Sequence, residues 1–216
     1  MRYLRLAETD RLESLRKAVE VVRSGGIVLY PTDTIYGLGC DPFSARAVKR
    51  LTELKRRVDA RAYLVLVREP GDAAGLASRI PEQFYFISQR IWPGPITMIF
   101  DKDALEEPFL GSDSIGIRCP RWSFLREFLW LLGAPLISTS ANLSGNAPIR
   151  DPVEASQHFA DGIDLFLDFG MLPHDRPSTI LDIRTDPPRI VREGAMLQRV
   201  KDAILEWQAL KEVPGE

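Results

Sequence analysis

The order of apolar patterns predicts an α/β fold of the α+β-like kind, a mixed parallel and antiparallel sheet with helices packed against it. The first half of the chain alternates strand-like apolar runs with stretches of helical periodicity, the pattern of parallel crossovers. After residue 160 the strand-like runs 165–168, 179–183 and 190–192 follow one another with no helical stretch between them, which calls for antiparallel pairing. At 216 residues, 45% hydrophobic and 27% charged, the chain is long enough for one sizeable core. One domain over residues 1–211 is expected, with 212–216 as a frayed tail.

Each element has a local reason. In residues 10–24, Leu12, Leu15, Val19 and Val22 fall at helical spacing, Asp10 can cap, and Gly25-Gly26 can end the helix. Residues 27–30 form a short buried strand that breaks at Pro31 into a polar loop holding Thr32, Asp33, Thr34, Tyr36, Gly37 and Gly39. Ser44 caps a helix with Ala47, Val48, Leu51 and Leu54 on its apolar face, and Lys55 and Arg57 arrive at its far end. Residues 62–67 are a second buried strand. Pro81 opens a helix bearing Phe84, Ile87 and Ile91, and Trp92-Pro93-Gly94-Pro95 stops it. Strands at 96–100 and 115–118 flank an acidic turn region, and 123–132 is helical. A strand at 136–138 enters a second loop, Ser138-Thr139-Ser140-Ala141-Asn142-Leu143-Ser144-Gly145. A short helix at 152–159 precedes the late strands, and 197–210 closes the chain as a helix bearing Ile204 and Trp207.

Several function classes lose support at once. The net charge of −2 provides no global basicity for nucleic acid. Cys40 and Cys119 alone make neither a disulfide framework nor a zinc site without recruiting scattered residues. With no long apolar run and no signal-like start, a cytoplasmic protein is the expectation. There is no GxxxxGK[ST] stretch, and Gly37-Leu38-Gly39 lacks a third glycine because Pro42 stands there. His158 and His174 have no nucleophile or carboxylate at suggestive spacing. What remains is a pair of hydroxyl- and glycine-rich stretches, each following a strand, with cations nearby: the makings of one shared site for an anionic ligand. Taken singly, Lys55 and Arg57 read as solvated helix-terminal charges, and Ser138, Ser140 and Asn142 as a capped turn. Arg118 is more pointed. A cation at the end of a buried strand needs a carboxylate or a bound anion.

The motifs PTDTIYGLGCD, the K-x-R of Lys55-Arg56-Arg57, WPGPIT, IGIRCP, ISTSANLSG, PSTILDI and IVREGAM stand in that order between about residues 18 and 196. In this the chain resembles the YrdC/TsaC-like threonylcarbamoyl-AMP synthase family. The resemblance implies a twisted open sheet around a basic cavity. It also implies synthesis of threonylcarbamoyl-AMP and pyrophosphate from L-threonine, bicarbonate and ATP with Mg²⁺. The product would serve N6-threonylcarbamoyladenosine formation at position 37 of tRNA, through a separate transferase complex, in a short form of the family without an extra C-terminal domain. Carried over by position, Thr34, Arg118, Ser138 and Ser178 would hold threonine, and Arg57, Arg61, Ser114, Ser140, Asn142 and Arg192 would hold ATP. Lys55 and Arg57 would be the catalytic cations, with no protein metal ligands. The segment 58–62 departs from the family's proline-containing pattern after K-x-R, and Arg61 keeps a charge where members have lysine. The rival readings are a divergent YciO-like paralogue, or a double-stranded RNA or tRNA-binding module with weak direct RNA binding and no synthase activity.

Overall fold

The computed structural model describes residues 2–6, 10–56, 63–102, 113–142, 149, 151–172 and 176–212. Among these residues ten strands form one sheet: β1 Arg2–Arg5, β2 Val28–Pro31, β3 Tyr36–Cys40, β4 Leu64–Leu66, β5 Ile96–Asp101, β6 Ser114–Arg118, β7 Leu136–Ser140, β8 Leu165–Asp168, β9 Thr179–Asp182 and β10 Arg189–Arg192. Their spatial order is β1-β8-β2-β3-β7-β4-β6-β5-β9-β10. β8 runs parallel to both β1 and β2, β4 to β6, and β5 to β9. The other neighbours are antiparallel, so the sheet is mixed as expected; of the late strands, however, only β9 and β10 pair antiparallel with each other, while β8 inserts in parallel between β1 and β2.

The helices are α1 Arg11–Arg23, α2 Ala45–Leu54, α3 Glu82–Ile91, α4 Ser123–Leu132, α5 Pro152–Phe159 and α6 Leu197–Glu212. Their ends follow the predicted chemistry. The Asp10 carboxylate accepts from the Glu13 amide at 2.8 Å, and Gly133 terminates α4 at φ +69°. α6 continues through Glu212, so that residue is helical rather than part of a frayed tail, and 213–216 lie outside the described residues.

Alternation along the strands divides the apolar side chains between two faces. Val28, Tyr30, Leu66, Leu136, Leu165 and Leu167 meet α1 and α4 through Leu15, Val22, Phe124, Phe128 and Leu132. Their strand neighbours Leu29, Val65, Ile137 and Phe166 face the other way, toward α2, α3, α5 and α6. α6 is fastened to α3, with the Phe86 and Trp207 rings 5.7 Å apart and Arg90 Nε 2.6 Å from Glu206.

Two expectations change. Residues 36–40 were expected in a loop and instead form β3, so 32–35 is a hairpin turn between antiparallel strands. Gly37 and Gly39 are strand residues kept small by crowding. A Cβ on Gly39 would stand 2.7 Å from Tyr30 Cε1 and 2.8 Å from the Ile137 carbonyl oxygen. Likewise Thr139 and Ser140 belong to β7 rather than a loop, paired with Leu38 and Gly37. β1 and a 3-10 turn at Pro70–Gly75 had no clear pattern in the sequence.

Candidate functional site

The hairpin turn between β2 and β3 is the first wall. Thr32 ties it together: its Oγ1 accepts from the amides of Thr34 and Ile35 at 3.1 and 3.2 Å and donates to the Ile35 carbonyl at 2.6 Å. That fixes Thr34 and presents Asp33 to the end of β6, where its carboxylate pairs with the Arg118 guanidinium. Arg118 is 4% exposed, and its Nε has no hydrogen-bond partner among the described residues. Arg118 thus has a carboxylate partner, one of the two kinds its strand-end position called for.

The second wall is the end of β7. Tyr30 donates its hydroxyl to Ser138 Oγ at 2.7 Å, and burial raises the Tyr30 pKa far above its ordinary value, so it stays a neutral donor. Lys55 caps α2 and is 4% exposed, not the solvated terminal charge that its position alone suggested. Its ammonium donates to the carbonyls of Ser140 and Asn142 at 2.6 and 2.7 Å and lies 3.3 Å from Asn142 Oδ1. The Ser140 hydroxyl in turn donates to Asn142 Oδ1.

The third wall comes from the far side of the sheet. Ser178 precedes β9 and Arg192 ends β10. Arg192 Nη2 donates to the Ser178 carbonyl at 2.8 Å and lies 3.1 Å from Ser178 Oγ, which also contacts Thr97 Oγ1 at 2.9 Å. Burial, and then the charge of Arg118, pull the Arg192 pKa below its ordinary value. A guanidinium has so much margin that Arg192 stays charged. Two cations that disfavour one another in a shared cleft make a place where an anion is stabilised.

Thr34, Arg118, Ser138, Ser140, Asn142, Ser178 and Arg192 line a cavity of about 460 Å³. Lys55 reaches it through Ser140 and Asn142. Ser114 sits at the start of β6 opposite Asp101 and lines neither this cavity nor its neighbour. Arg57 and Arg61 lie outside the described residues, as does His174. His158 is exposed, its Nδ1 2.9 Å from the Glu154 carbonyl on its own helix. Sequence reasoning missed Asp33, Tyr30 and Thr97 as parts of the site. The signal available for two of them was a tyrosine directly before Pro31 and a carboxylate two residues after it. A second cavity of about 870 Å³, with Arg121, Trp122, Phe169 and Leu172 in its walls, shares Thr32 and Thr34 with the first. Asp33 lines the larger cavity and Arg118 the smaller, so their ion pair stands between the two.

A family profile, Sua5_yciO_yrdC, described as telomere recombination, matches residues 20–194. The chain belongs to the Sua5/YciO/YrdC family. Among its Sua5/YciO/YrdC relatives, a protein of Hahella chejuensis named threonylcarbamoyl-AMP synthase is 32% identical over 173 residues, 79% of this chain and 94% of that one. A protein of the same name from Pseudomonas paraeruginosa is 35% identical over 170 residues, covering 78% and 91%. Of solved structures, P. abyssi Sua5 complexed with L-threonine superposes with a TM-score of 0.85 at 27% identity over 94% of this chain. The match spans 60% of that Sua5 chain. E. coli YciO superposes with a TM-score of 0.78 at 27% identity, covering 90% and 95% of the two chains.

Proposed function

We propose that this chain is a threonylcarbamoyl-AMP synthase. It takes L-threonine, bicarbonate and ATP to threonylcarbamoyl-AMP and pyrophosphate. The observation that carries the reading is the convergence, in one cavity of a Sua5/YciO/YrdC fold, of the buried Arg118 guanidinium and the Arg192 guanidinium with hydroxyls from three separate parts of the sheet.

In this reading the threonine carboxylate meets Arg118, while Thr34, Ser138 and Ser178 surround its side chain. Threonine's amine joins bicarbonate with loss of water. The resulting carbamate oxygen attacks the α-phosphorus of ATP, and the bond from that phosphorus to the α,β-bridging oxygen breaks, the oxygen leaving with pyrophosphate. Charge grows on phosphoryl oxygens and on the departing group, and fixed cations in a partly dry cavity stabilise it better than water does. Arg192, with Arg57, Arg61, Ser114, Ser140 and Asn142, is assigned to ATP. Lys55 has its ammonium directed at Ser140 and Asn142, so it acts chiefly by holding that end of β7 toward the phosphates. Bringing the carbamate and the α-phosphate together supplies much of the remaining acceleration. Among the described residues no three His, Cys, Asp or Glu stand together to hold a metal ion. Mg²⁺ would enter with ATP and neutralise charge at its phosphates. No helix among the described residues is long and apolar enough to cross a membrane. A cytoplasmic location, and a transferase complex that delivers the threonylcarbamoyl group to tRNA, complete the reading.

The test is pyrophosphate release from Mg-ATP with threonine and bicarbonate omitted in turn, with the adenylate identified by mass. Release that needs both co-substrates is the expected result. ATP binding without release would remove the synthase reading and favour that of a YciO-like paralogue.

A further inference from the structure

We propose that Asp33 selects for the α-amino group: an amino-acid zwitterion inserts into the Asp33–Arg118 ion pair, its carboxylate on Arg118 and its ammonium on Asp33. This rests on the synthase reading and assigns a positioning and specificity role to a residue that the reading leaves unused.

Three features support it. Asp33 and Arg118 pair directly, so the position an incoming carboxylate needs is already held by a carboxylate. The pairing is one-sided: Arg118 Nη2 meets Asp33 Oδ1, while Nε is buried without a partner among the described residues. A carboxylate approaching side-on would engage Nε and Nη2 together as a fork, the stronger arrangement for a guanidinium. It would then displace Asp33 rather than add to it. A displaced carboxylate, left among the described residues with only the Arg121 amide at 3.4 Å, has lost its charged partner in a partly buried place, which is costly. A ligand with an ammonium one carbon away from its carboxylate removes that cost, replacing one ion pair with two and leaving the net charge of the site unchanged. An anion lacking the amine leaves two carboxylates facing each other, which disfavours its binding.

The same exchange has a spatial consequence. Asp33 belongs to the larger cavity, Arg118 to the smaller, and Thr32 and Thr34 border both. Opening the ion pair joins the two spaces, with the α-carbon of the zwitterion at the junction. The amine that must meet bicarbonate then faces the larger cavity, while the carboxylate remains in the cationic one.

The experiment is calorimetric titration of wild type and Asp33→Asn with L-threonine and with 3-hydroxybutyrate, which keeps the carboxylate and hydroxyl but has no amine. ATP titration checks the rest of the site, and pyrophosphate release checks the activity. Wild type is expected to prefer threonine by ~100-fold or more, as sites built around a substrate N–H do. Asp33→Asn is expected to weaken threonine at least 10-fold and to strengthen 3-hydroxybutyrate, with ATP binding unchanged. Parallel loss of both ligands, or no change in either, in a variant of an active enzyme overturns the role of Asp33 and leaves the synthase reading standing. If Asp33→Asn does not fold, wild type decides alone, because equal affinity for the two ligands also overturns it. A wild type that neither binds threonine nor releases pyrophosphate overturns the functional reading itself.

Discussion

Arg118 and Arg192 share a cavity but do different work, and their substitutions separate the two. Arg118→Lys keeps the charge and loses the planar fork. The expected outcome is a fall of ~10- to 100-fold in kcat/KM for threonine with little change in KM for ATP; steady-state kinetics with each substrate varied checks it. Ser178 is held between Arg192 and Thr97. Ser178→Ala should raise KM for threonine more than KM for ATP, and equal changes in both would remove Ser178 from the threonine side. At this scale the sequence was legible in chemistry and blind in pairing. That Arg118 needs an anion followed from a cation ending a buried strand. That Asp33 supplies it did not, because the two are 85 positions apart and only the hairpin turn brings them together. Lys55 shows the opposite failure. Its helix-terminal position is common for solvated lysines, and only the arrival of β7 beside α2 reveals that its ammonium is buried.

Elements with strong period were readable: α1, α2, α3 and α4 start and stop where caps, prolines and glycines say they should. β3 was not, because Gly37 and Gly39 weaken a strand pattern for local reasons and are present for a reason that is not local. The neighbouring strands leave no room for side chains. Substitution tests this. Gly39→Ala forces a Cβ against Tyr30 Cε1 and the Ile137 carbonyl, and the carbonyl is sheet backbone that cannot turn aside. A cost of about 1–3 kcal/mol is expected, read as a Tm lower by several degrees, with loss of threonine binding as Tyr30 is pushed off Ser138. Gly75→Ala is the control: nothing lies within 4 Å of its Cβ position, and the substitution should be neutral or slightly stabilising.

Across the whole molecule, a single ten-stranded sheet carries helices on both faces, and every described candidate residue is supported by it. The site's three walls come from hairpin turn, strand end and late strand pair, so it exists only when the sheet is complete. Cys40 and Cys119 report on that completeness. Both are fully buried in the same core, and burial pushes each thiol up to about 12. At pH 8 neither is thiolate in the folded protein, and neither is reachable, whereas an unfolded chain has ordinary thiols near 8.5. Reaction with iodoacetamide therefore counts unfolded molecules. The expectation is that both cysteines label together along a urea series, at the midpoint where circular dichroism is lost, and that ATP binding disappears at the same midpoint. Cys40 lies on β3 and Cys119 just beyond β6, with β7 and β4 between those strands, so separate labelling midpoints would divide the sheet into parts that open independently. Saturating ATP with threonine should move both midpoints upward by the same amount, since ligands that bind only the complete site stabilise everything that must be folded to make it.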